Sequence, residues 1–528
     1  AFAAGGAKAV TPELQLKTTT ERILDAISAA RCCITLGAPG GGKTTAMKAA
    51  AAASGAYVRT IFPGAMNPGR LLGGYHAVGL EWADGALPYI LKQPLPRGYN
   101  CCWVHLDGPM VGLFAESAGL STLIENGTLT LENGEHTSLP KGGAVVLEIS
   151  SAAALTPRLL FSGGVVCFQP AVPEVLETQV AKTVERWQAS LINGGLGFED
   201  ATPTAMLAAL PAALLTTRPR GSDVAGVTGA VLTYLNAALR LAEHALRPPS
   251  PAEELSAGGG SSGDDEAHVT PHAAAGALLH GALWAVGGAM EREERDGWEA
   301  TVAELLLPLV PPPPGAPEGS PAVPPVDSLF DLKMVRVNGA LVLVAGPPGG
   351  IDAGEPLPPV LPGIAGAPSL GALMMLPAAG RPAFHASRLL EAGVAVILAG
   401  GSGSGKTACL AAIAARAATY SRSIVAHTAM RGGAGPGCLE RVMTERMQRH
   451  RIGRWRPRNA PSLLLCVDDI HVPSVISAAG GAENVNRRVP GALEFLRQLV
   501  STGEFWDTTS GGIGGDASAE NTRVLVAG

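Results

Sequence analysis

The feature that most constrains this chain is a glycine-rich segment of eight residues that occurs twice. The first copy, Gly37–Thr44, reads GAPGGGKT, and the second, Gly400–Thr407, reads GGSGSGKT. Each copy follows a short apolar run and precedes an alanine-rich helix former, which is the strand, loop and helix order of a phosphate-binding P-loop. The copies lie much farther apart than any solenoid repeat, so we expect two tandem modules with an insertion between them.

A loop of this kind binds phosphate because its glycines let successive backbone amides point at phosphate oxygens, beside the positive end of the following helix. Its lysine reaches the β- and γ-phosphates, and its threonine hydroxyl ligates magnesium. We therefore predict ATP or ADP with Mg²⁺ as the cofactors. The predicted cofactor-binding loop residues are Gly37, Gly40, Gly42, Lys43, Thr44 and Thr45 in the first module, and Gly400, Gly403, Gly405, Lys406 and Thr407 in the second.

Each module also has an aspartate at the end of an apolar run that is typical of a buried strand. Asp107 ends the run CCWVHLD, and Asp468 ends the run LLLCVD, at a similar distance from the lysine of its own module. Such a carboxylate holds the magnesium water shell opposite the loop. We predict that Asp107 and Asp468 bind the cofactor, and that Thr44 and Thr407 complete the two metal sites with them. The matched spacing indicates one fold for both modules.

The residue after the magnesium aspartate separates nucleotide binding from hydrolysis, because a second carboxylate there can orient or deprotonate the attacking water. Gly108 occupies this position in the first module, so we expect binding without efficient turnover. Asp469 occupies it in the second, and we predict it as the catalytic residue of a slow hydrolysis. Whether the chain alone is an ATPase stays open. His105 is predicted to be a packed core histidine.

Composition limits the partners and the location. A chain of 528 residues that is 47% apolar has enough material for at least two cores. Its net charge of -6 provides no global attraction to nucleic acid or to an anionic membrane. No apolar run reaches the roughly 18 residues that span a bilayer, and the first residues lack the pattern of a signal peptide. We therefore expect a soluble intracellular protein with buried, reduced cysteines.

The order of predicted elements divides the chain into four segments. We expect a first α/β core in residues 1–171, a helical lid in 172–246, a linker with a helical insert in 247–330, and a second α/β core in 331–528. The chain starts without Met and stops within an apolar run, so we also expect a piece of a longer protein. The predicted strands are Cys32–Leu36, Tyr57–Phe62, Cys101–Leu106, Ala144–Ile149 and Val165–Phe168, then Val394–Ala399, Ser423–Ala426, Leu463–Val467 and Arg523–Ala527.

Beyond the loops, the sequence resembles the motor region of dynein heavy chains, at the second and third AAA+ modules of their ring. The likeness covers most of the chain outside the linkers. An Asp-Asp pair at Asp468 and Asp469 favours the axonemal over the cytoplasmic type. The similar segments are Asn67–Pro68, Leu71–Tyr75, Glu81–Gly85, His105–Pro109, Leu123–Asn126 and Leu129–Glu135 in the first module, and Val467–Ile470, Leu493–Gln498 and Gly503–Asp507 in the second.

The resemblance implies an α/β fold of tandem P-loop AAA+ modules, with parallel sheets flanked by helices and a helical lid and insert between them. It implies a nucleotide-binding part of a motor ring that drives movement towards microtubule minus ends, with a regulatory second site. The implied partners are the neighbouring AAA+ modules, dynein intermediate and light chains, and microtubules through a stalk that this segment lacks. No nucleic-acid or membrane partner is expected. The implied location is the cytoplasm and cytoskeleton, with the axoneme of a cilium or flagellum favoured.

One position departs from the family pattern, and two alternatives stay open. Ser162 stands where the family's second module has an arginine that reaches the preceding nucleotide, and Arg158 lies four positions earlier. An inert structural AAA+ scaffold is favoured in the first module by Gly108 and Ser162, but Asp469 opposes it in the second. A nucleic-acid-remodelling P-loop ATPase rests on the basic stretch Arg449–Arg458 with its interleaved aromatic.

Overall fold

The computed structural model describes residues 12–75, 81–108, 118–150, 157–168, 180–189, 204–216, 224–247, 269–288, 290, 292–317, 319–337, 340–346, 377–419, 421–431, 434–451, 453–472, 491–507 and 515–528. The predicted linker residues 248–268 lie outside these ranges. The helices are α1 (Pro12–Ala30), α2 (Lys43–Ser54), α3 (Pro68–Leu72), α4 (Ala86–Lys92), α5 (Ala118–Asn126), α6 (Pro157–Ser162), α7 (180–189), α8 (Thr204–Thr216), α9 (Val224–Leu246), α10 (Pro271–Gly287), α11 (Arg292–Leu305), α12 (Pro377–Glu391), α13 (Lys406–Thr419), α14 (Pro436–Thr444) and α15 (Gly491–Thr502).

The strands have three to seven residues each, which is within the usual range. They are β1 (Cys32–Leu36), β2 (Ala56–Ile61), β3 (Gly73–Tyr75), β4 (Trp82–Asp84), β5 (Cys101–Asp107), β6 (Thr128–Thr130), β7 (His136–Ser138), β8 (Ala144–Ile149), β9 (Gly164–Cys167), β10 (Leu332–Val337), β11 (Ala340–Ala345), β12 (Val396–Leu398), β13 (Ile424–Ala429), β14 (Met447–Arg451), β15 (Arg454–Pro457), β16 (Leu463–Asp468), β17 (Glu504–Asp507), β18 (Gly515–Ala519) and β19 (Thr522–Ala527).

The first module is built on a parallel sheet with the strand order β2-β5-β8-β1-β9. Successive side chains of a strand point to opposite faces, and both faces of this sheet are covered. Ile34 and Val104 pack in one core with side chains of α4 and α5. Cys33 and Trp103 pack on the other face with side chains of α1 and α2. This arrangement confirms the predicted α/β core of a parallel sheet between helices.

The second module repeats this topology. Its parallel sheet has the order β13-β16-β19-β12, which matches β2-β5-β8-β1 of the first sheet strand by strand. β1 and β12 each lead into a glycine-rich loop, and β5 and β16 each end on the predicted magnesium aspartate. A separate sheet of the order β14-β15-β18-β17 belongs to the same module and shares a core with the parallel sheet. The matching strand orders explain why the lysine-to-aspartate spacing is similar in the two modules.

The helices between the two modules share one core. Buried side chains of α7, α8 and α9 pack with those of α10, α11 and β11 in a single cluster. The helices predicted as a lid and those predicted as an insert therefore form one helical unit in the described residues, while the four segment boundaries stay a prediction. Within the described ranges, no helix is both long enough and apolar enough to cross a membrane.

The two modules meet at the turn that follows β2. Phe62 and Ala65 belong to the first module, yet both are buried in the core of the second, with side chains of α14 and α15. An ion pair between Arg70 and Glu440 lies beside this contact. Apolar burial and a charge pair thus join the modules, which sets the position of α15 relative to the first sheet.

Most of the cysteines are buried, as expected, but Cys167 and Cys438 are exposed. All eight are free thiols. Burial raises the pKa of Cys32 to about 12 and that of Cys33 to about 12. These thiols therefore stay protonated and act as small core side chains.

Candidate nucleotide sites

The first glycine-rich loop joins β1 to α2 and has the backbone of a phosphate-binding loop. Gly40 and Gly42 have positive φ angles of 78° and 83°, which glycine adopts at no steric cost. Gly42 is also the N-cap of α2 and contributes no side-chain hydrogen bond there. The first-turn amides of α2 are thus left for an anion rather than for a capping side chain.

Lys43 is the first residue of α2, and its side chain folds back over the loop. Its ammonium nitrogen donates hydrogen bonds to the carbonyl oxygens of Gly37 at 2.8 Å and Ala38 at 2.9 Å. Burial lowers the pKa of Lys43, while the charges of Glu148 and Asp107 act in the opposite direction. A lysine held in this way presents its charge at the mouth of the loop, where phosphate oxygens are expected.

Glu148 is a site residue that the sequence analysis missed. It lies near the end of β8, directly opposite Asp107 on β5 and Thr35 on β1. Its carboxylate accepts a hydrogen bond from the Thr44 hydroxyl at 2.7 Å and lies 3.7 Å from the Lys43 nitrogen. The sequence signal was present: a single carboxylate near the end of an otherwise apolar predicted strand, at the level of Asp107.

His105 is buried, as predicted, but it also belongs to the network around Glu148. Its Nε2 lies 3.2 Å from Glu148 Oε2, and its Nδ1 lies 3.3 Å from the hydroxyl of Thr60. These partners assign the proton to Nε2, which then donates to the carboxylate. Burial would raise the pKa of Glu148, but the hydrogen bonds from His105 and Thr44 and the charge of Lys43 outweigh it and lower that pKa.

Asp107 does not pair with Thr44, although the sequence predicts both as metal ligands. Its carboxylate instead accepts a hydrogen bond from Arg497 of the second module, with a distance of 3.1 Å between Nη1 and Oδ1. Arg497 also donates from Nη2 to the backbone carbonyl of Asp107 at 3.0 Å. The oxygen donors of the first site are therefore Thr44 beside Glu148, with Asp107 on the neighbouring strand.

The second loop has the same backbone and a simpler set of side chains. Gly403 and Gly405 have φ angles of 77° and 87°, which correspond to those of Gly40 and Gly42. Lys406 donates to the carbonyl oxygens of Gly400 and Gly401, both at 2.8 Å. The Thr407 hydroxyl donates to Asp468 Oδ2 at 3.0 Å.

The pairing of Thr407 with Asp468 is the predicted arrangement of the magnesium site, and the first module lacks its equivalent. The register of β16 and β19 pairs Val467 with Val526, so the residue across from Asp468 is Ala527. In the first module Glu148 occupies that place, and its carboxylate accepts the hydrogen bond of the Thr44 hydroxyl. The two sites differ at this position because one neighbouring strand has a carboxylate and the other a methyl group.

Asp469, predicted as the catalytic residue, follows β16 with a positive φ angle of 57° and an exposed side chain. Its backbone N–H donates to Asp468 Oδ1 at 2.9 Å. Gly108, at the same place in the first module, also has a positive φ angle, of 111°. The left-handed conformation thus belongs to this turn in both modules, and aspartate tolerates it better than most residues do.

Two further predicted residues lie at the edge of the sites. Thr45 is the third residue of α2 and is exposed on the first turn of that helix. Ser162 is the last residue of α6, next to Phe161, whose side chain is 92% exposed.

The basic stretch that supported a nucleic-acid alternative forms the hairpin β14–β15. Its aromatic residue, Trp455, is buried and donates from Nε1 to Asp507 Oδ2 at 3.2 Å. Arg454 pairs with Glu520 at 3.1 Å, and Arg458 donates to a backbone carbonyl. The ring that would have to stack on a base is therefore part of the protein core.

The residues present fit a magnesium nucleotide at both sites. Each site has a positive-φ glycine directly before its lysine, and in the first site no side chain caps the start of α2. Each site also has oxygen donors of the kind that Mg²⁺ prefers. In the second site Thr407 and Asp468 would hold the metal, and in the first Thr44, Asp107 and Glu148 supply the oxygens. When bound, the nucleotide contributes the phosphate charge that the loop lysines offset.

Parts of the chain are similar to known proteins. A family model described as the P-loop containing dynein motor region matches residues 378–512, which lie in the second module. The human protein named Dynein axonemal heavy chain 2 is 29% identical over 148 residues, which is 26% of this chain and 3% of that relative. The mouse protein of the same name is 29% identical over 134 residues, which is 24% of this chain and 3% of that relative.

The parallel sheets, the loops and the paired aspartates define a protein of tandem P-loop modules with the AAA+ α/β fold. Within that class, the matched segments are similar to the P-loop motor region of dynein heavy chains. The matched regions span only 3% of the length of these curated relatives, so they concern a small part of each.

Proposed function

We propose that both modules bind ATP or ADP with Mg²⁺, that the first holds its nucleotide, and that the second hydrolyses slowly and regulates the motor. The observation that carries this proposal is the contrast after the magnesium aspartate. The first module has Gly108, packed against an arginine, where a catalytic carboxylate would be needed, and the second has Asp469.

In this proposal the chain's own residues perform separate tasks. Lys43 and Lys406 orient phosphate oxygens from their positions on the loop carbonyls. Thr407 and Asp468 fix the metal side of the second site, and the exposed carboxylate of Asp469 is placed to accept a proton from water. In the first site Glu148, which also contacts His105, fixes the Thr44 hydroxyl, and no base stands in the usual position.

The wider role is proposed from the relatives. We place the chain in the motor ring of an axonemal dynein heavy chain, where neighbouring AAA+ modules, intermediate and light chains and microtubules are its partners. Its nucleotide occupancy would pass conformational change around the ring during movement towards microtubule minus ends. The cytoskeleton of a cilium or flagellum is the proposed location.

The test compares nucleotide binding and hydrolysis by the purified chain with those of two loop variants. We expect Lys43→Ala to remove one equivalent of bound nucleotide without changing turnover, and Lys406→Ala to remove turnover. Lys141→Ala, at an exposed position on the first module, is the matched control and should change neither quantity. Unchanged binding in both loop variants would refute the proposal.

A further inference from the structure

A side chain of the second module completes the first module's site. Arg497 lies on α15, 390 residues after Asp107 in the chain, yet it contacts Asp107 twice. One bond goes to Oδ1 of the carboxylate and the other to the backbone carbonyl. This two-point contact fixes the position of the residue that is predicted to face magnesium.

Gly108 makes room for this arginine. A Cβ atom at Gly108 would lie 2.4 Å from Arg497 Nη2 and 3.1 Å from Glu494 Oε2. Real Cβ contacts are not as short as 2.4 Å, so a side chain after Asp107 would force the guanidinium of Arg497 to shift from this position. Gly108 therefore has two effects. It leaves the position after Asp107 without a catalytic carboxylate, and it leaves space for Arg497 of the neighbouring module to contact Asp107.

Two further contacts fix the side chain of Arg497 in the position from which it reaches Asp107. Its Nε donates to Glu494 Oε2 at 2.9 Å, one turn earlier on α15. Its guanidinium also lies over the ring of Phe62, with 4.8 Å between its carbon and the ring centroid. Because Phe62 is itself buried in the second module's core, the arginine is fixed to the interface as well as to its own helix.

The charges of the first site favour a cation beside Asp107. Asp107 and Glu148 are direct neighbours on adjacent strands, so two carboxylates face one loop lysine. Like charges at such a distance repel each other, and a nearby cation offsets the repulsion. Arg497 donates to Oδ1 and to the backbone carbonyl of Asp107, and neither of these two bonds uses Oδ2.

We propose that Arg497 is a positioning residue that acts from the second module on the first nucleotide site, where it orients Asp107 for magnesium. This role rests on the proposed nucleotide binding by the first module. It also makes the affinity of that site depend on how the two modules are docked. By linkage, a nucleotide in the first site strengthens the docking of α15 by the same factor.

The test measures binding of a fluorescent ADP to the chain with Lys406→Ala, so that only the first site binds, in the presence and absence of Mg²⁺. We expect Arg497→Ala to weaken binding about tenfold with Mg²⁺, since the contact is a charge-assisted one, and to leave binding without Mg²⁺ unchanged. Arg497→Lys keeps the charge but not the two-point geometry, so it should restore only part of the affinity. Arg456→Ala, an exposed arginine on β15, is the control.

The outcomes separate the two proposals. Equal weakening with and without Mg²⁺ would show a general structural defect and overturn the positioning role, as would an unchanged affinity in both Arg497 variants. In either case, nucleotide binding by the parent chain would leave the proposed function standing. Absence of binding in the parent chain would refute the proposed function and this role with it. Circular dichroism of each variant checks folding, and Arg497→Lys serves as the decisive variant if Arg497→Ala does not fold.

Discussion

Glu148 lies across from Asp107 in the first sheet, and Ala527 holds the matching place in the second. This one difference changes what the loop threonine can do. Thr407 is free to contact its aspartate, whereas Thr44 is taken by Glu148. Two loops with the same spacing of glycine, lysine and threonine therefore form two different sites, because the neighbouring strand has a glutamate in the first module and an alanine in the second.

Replacing Glu148 with glutamine should destabilise the first module. The change keeps the shape but removes the charge that accepts hydrogen bonds from Thr44 and His105, and contacts of this kind contribute about 1–3 kcal/mol. Urea unfolding followed by tryptophan fluorescence measures the loss. Glu132→Gln, at an exposed site of the same module, should shift the midpoint much less. Equal shifts for the two variants would contradict the role given to Glu148.

Asp469→Asn separates the backbone role of this residue from its carboxylate. Asparagine tolerates the left-handed φ of 57° as well as aspartate does, so Tm and nucleotide affinity should stay the same. Loss of the carboxylate should reduce hydrolysis about 100-fold or more, which is typical for a general base. Steady-state phosphate release measures the effect. Turnover equal to that of the parent chain would remove Asp469 from the chemistry.

At the level of helices and strands, local pattern was a good guide. The predicted strands Cys32–Leu36 and Ala144–Ile149 coincide with β1 and β8, since buried apolar runs bounded by turn residues are clear signals. The grouping of helices was harder to predict. The prediction treated the lid and the insert as separate segments, but α9 and α10 pack in one core. Which apolar faces meet depends on the tertiary arrangement and not on the periodicity of either helix.

The contact between α10 and α12 makes the helical unit sensitive to acid. His280 and His385 are both buried, and the ring of His385 stacks on Trp284 with 3.2 Å between centroids. Burial, with a smaller contribution from Arg388, lowers the pKa of His280 to about 4, and burial lowers the pKa of His385 as well. In the unfolded chain both pKa values are near 6.5.

The unfolded state therefore binds more protons than the folded one below pH 6.5. Stability is fully present above that value and is lost as the pH falls towards 4, by about 3 kcal/mol for His280 alone. Thermal unfolding at a series of pH values measures this loss. His280→Asn should flatten the dependence between pH 6.5 and 4, while His450→Asn, at an exposed site on β14, should not. A slope that is the same in all three proteins would count against the histidine pair.

At the level of the whole molecule, the interface between the modules was the least predictable part. The sequence indicates both modules, both loops and both aspartates, but the residues that join them are nearly 400 positions apart, as Asp107 and Arg497 are. No local pattern marks Arg497, because an arginine on an amphipathic helix is usually a solvated side chain. Its role follows only from the docking of the modules, which places α15 over the end of β5.

Phe62→Ala tests whether that docking joins the modules into one cooperative unit. Phe62 is buried among side chains of the second module, and truncation of a buried phenylalanine typically costs about 3–5 kcal/mol. Because the ring also supports Arg497, its loss should weaken the interface more than either sheet. We expect calorimetry to resolve a separate, earlier transition in the variant. Phe161→Ala, whose ring is exposed, should melt like the parent chain. If Phe62→Ala also melts like the parent, the modules are coupled by contacts other than this one, and the Arg70–Glu440 pair becomes the next site to change.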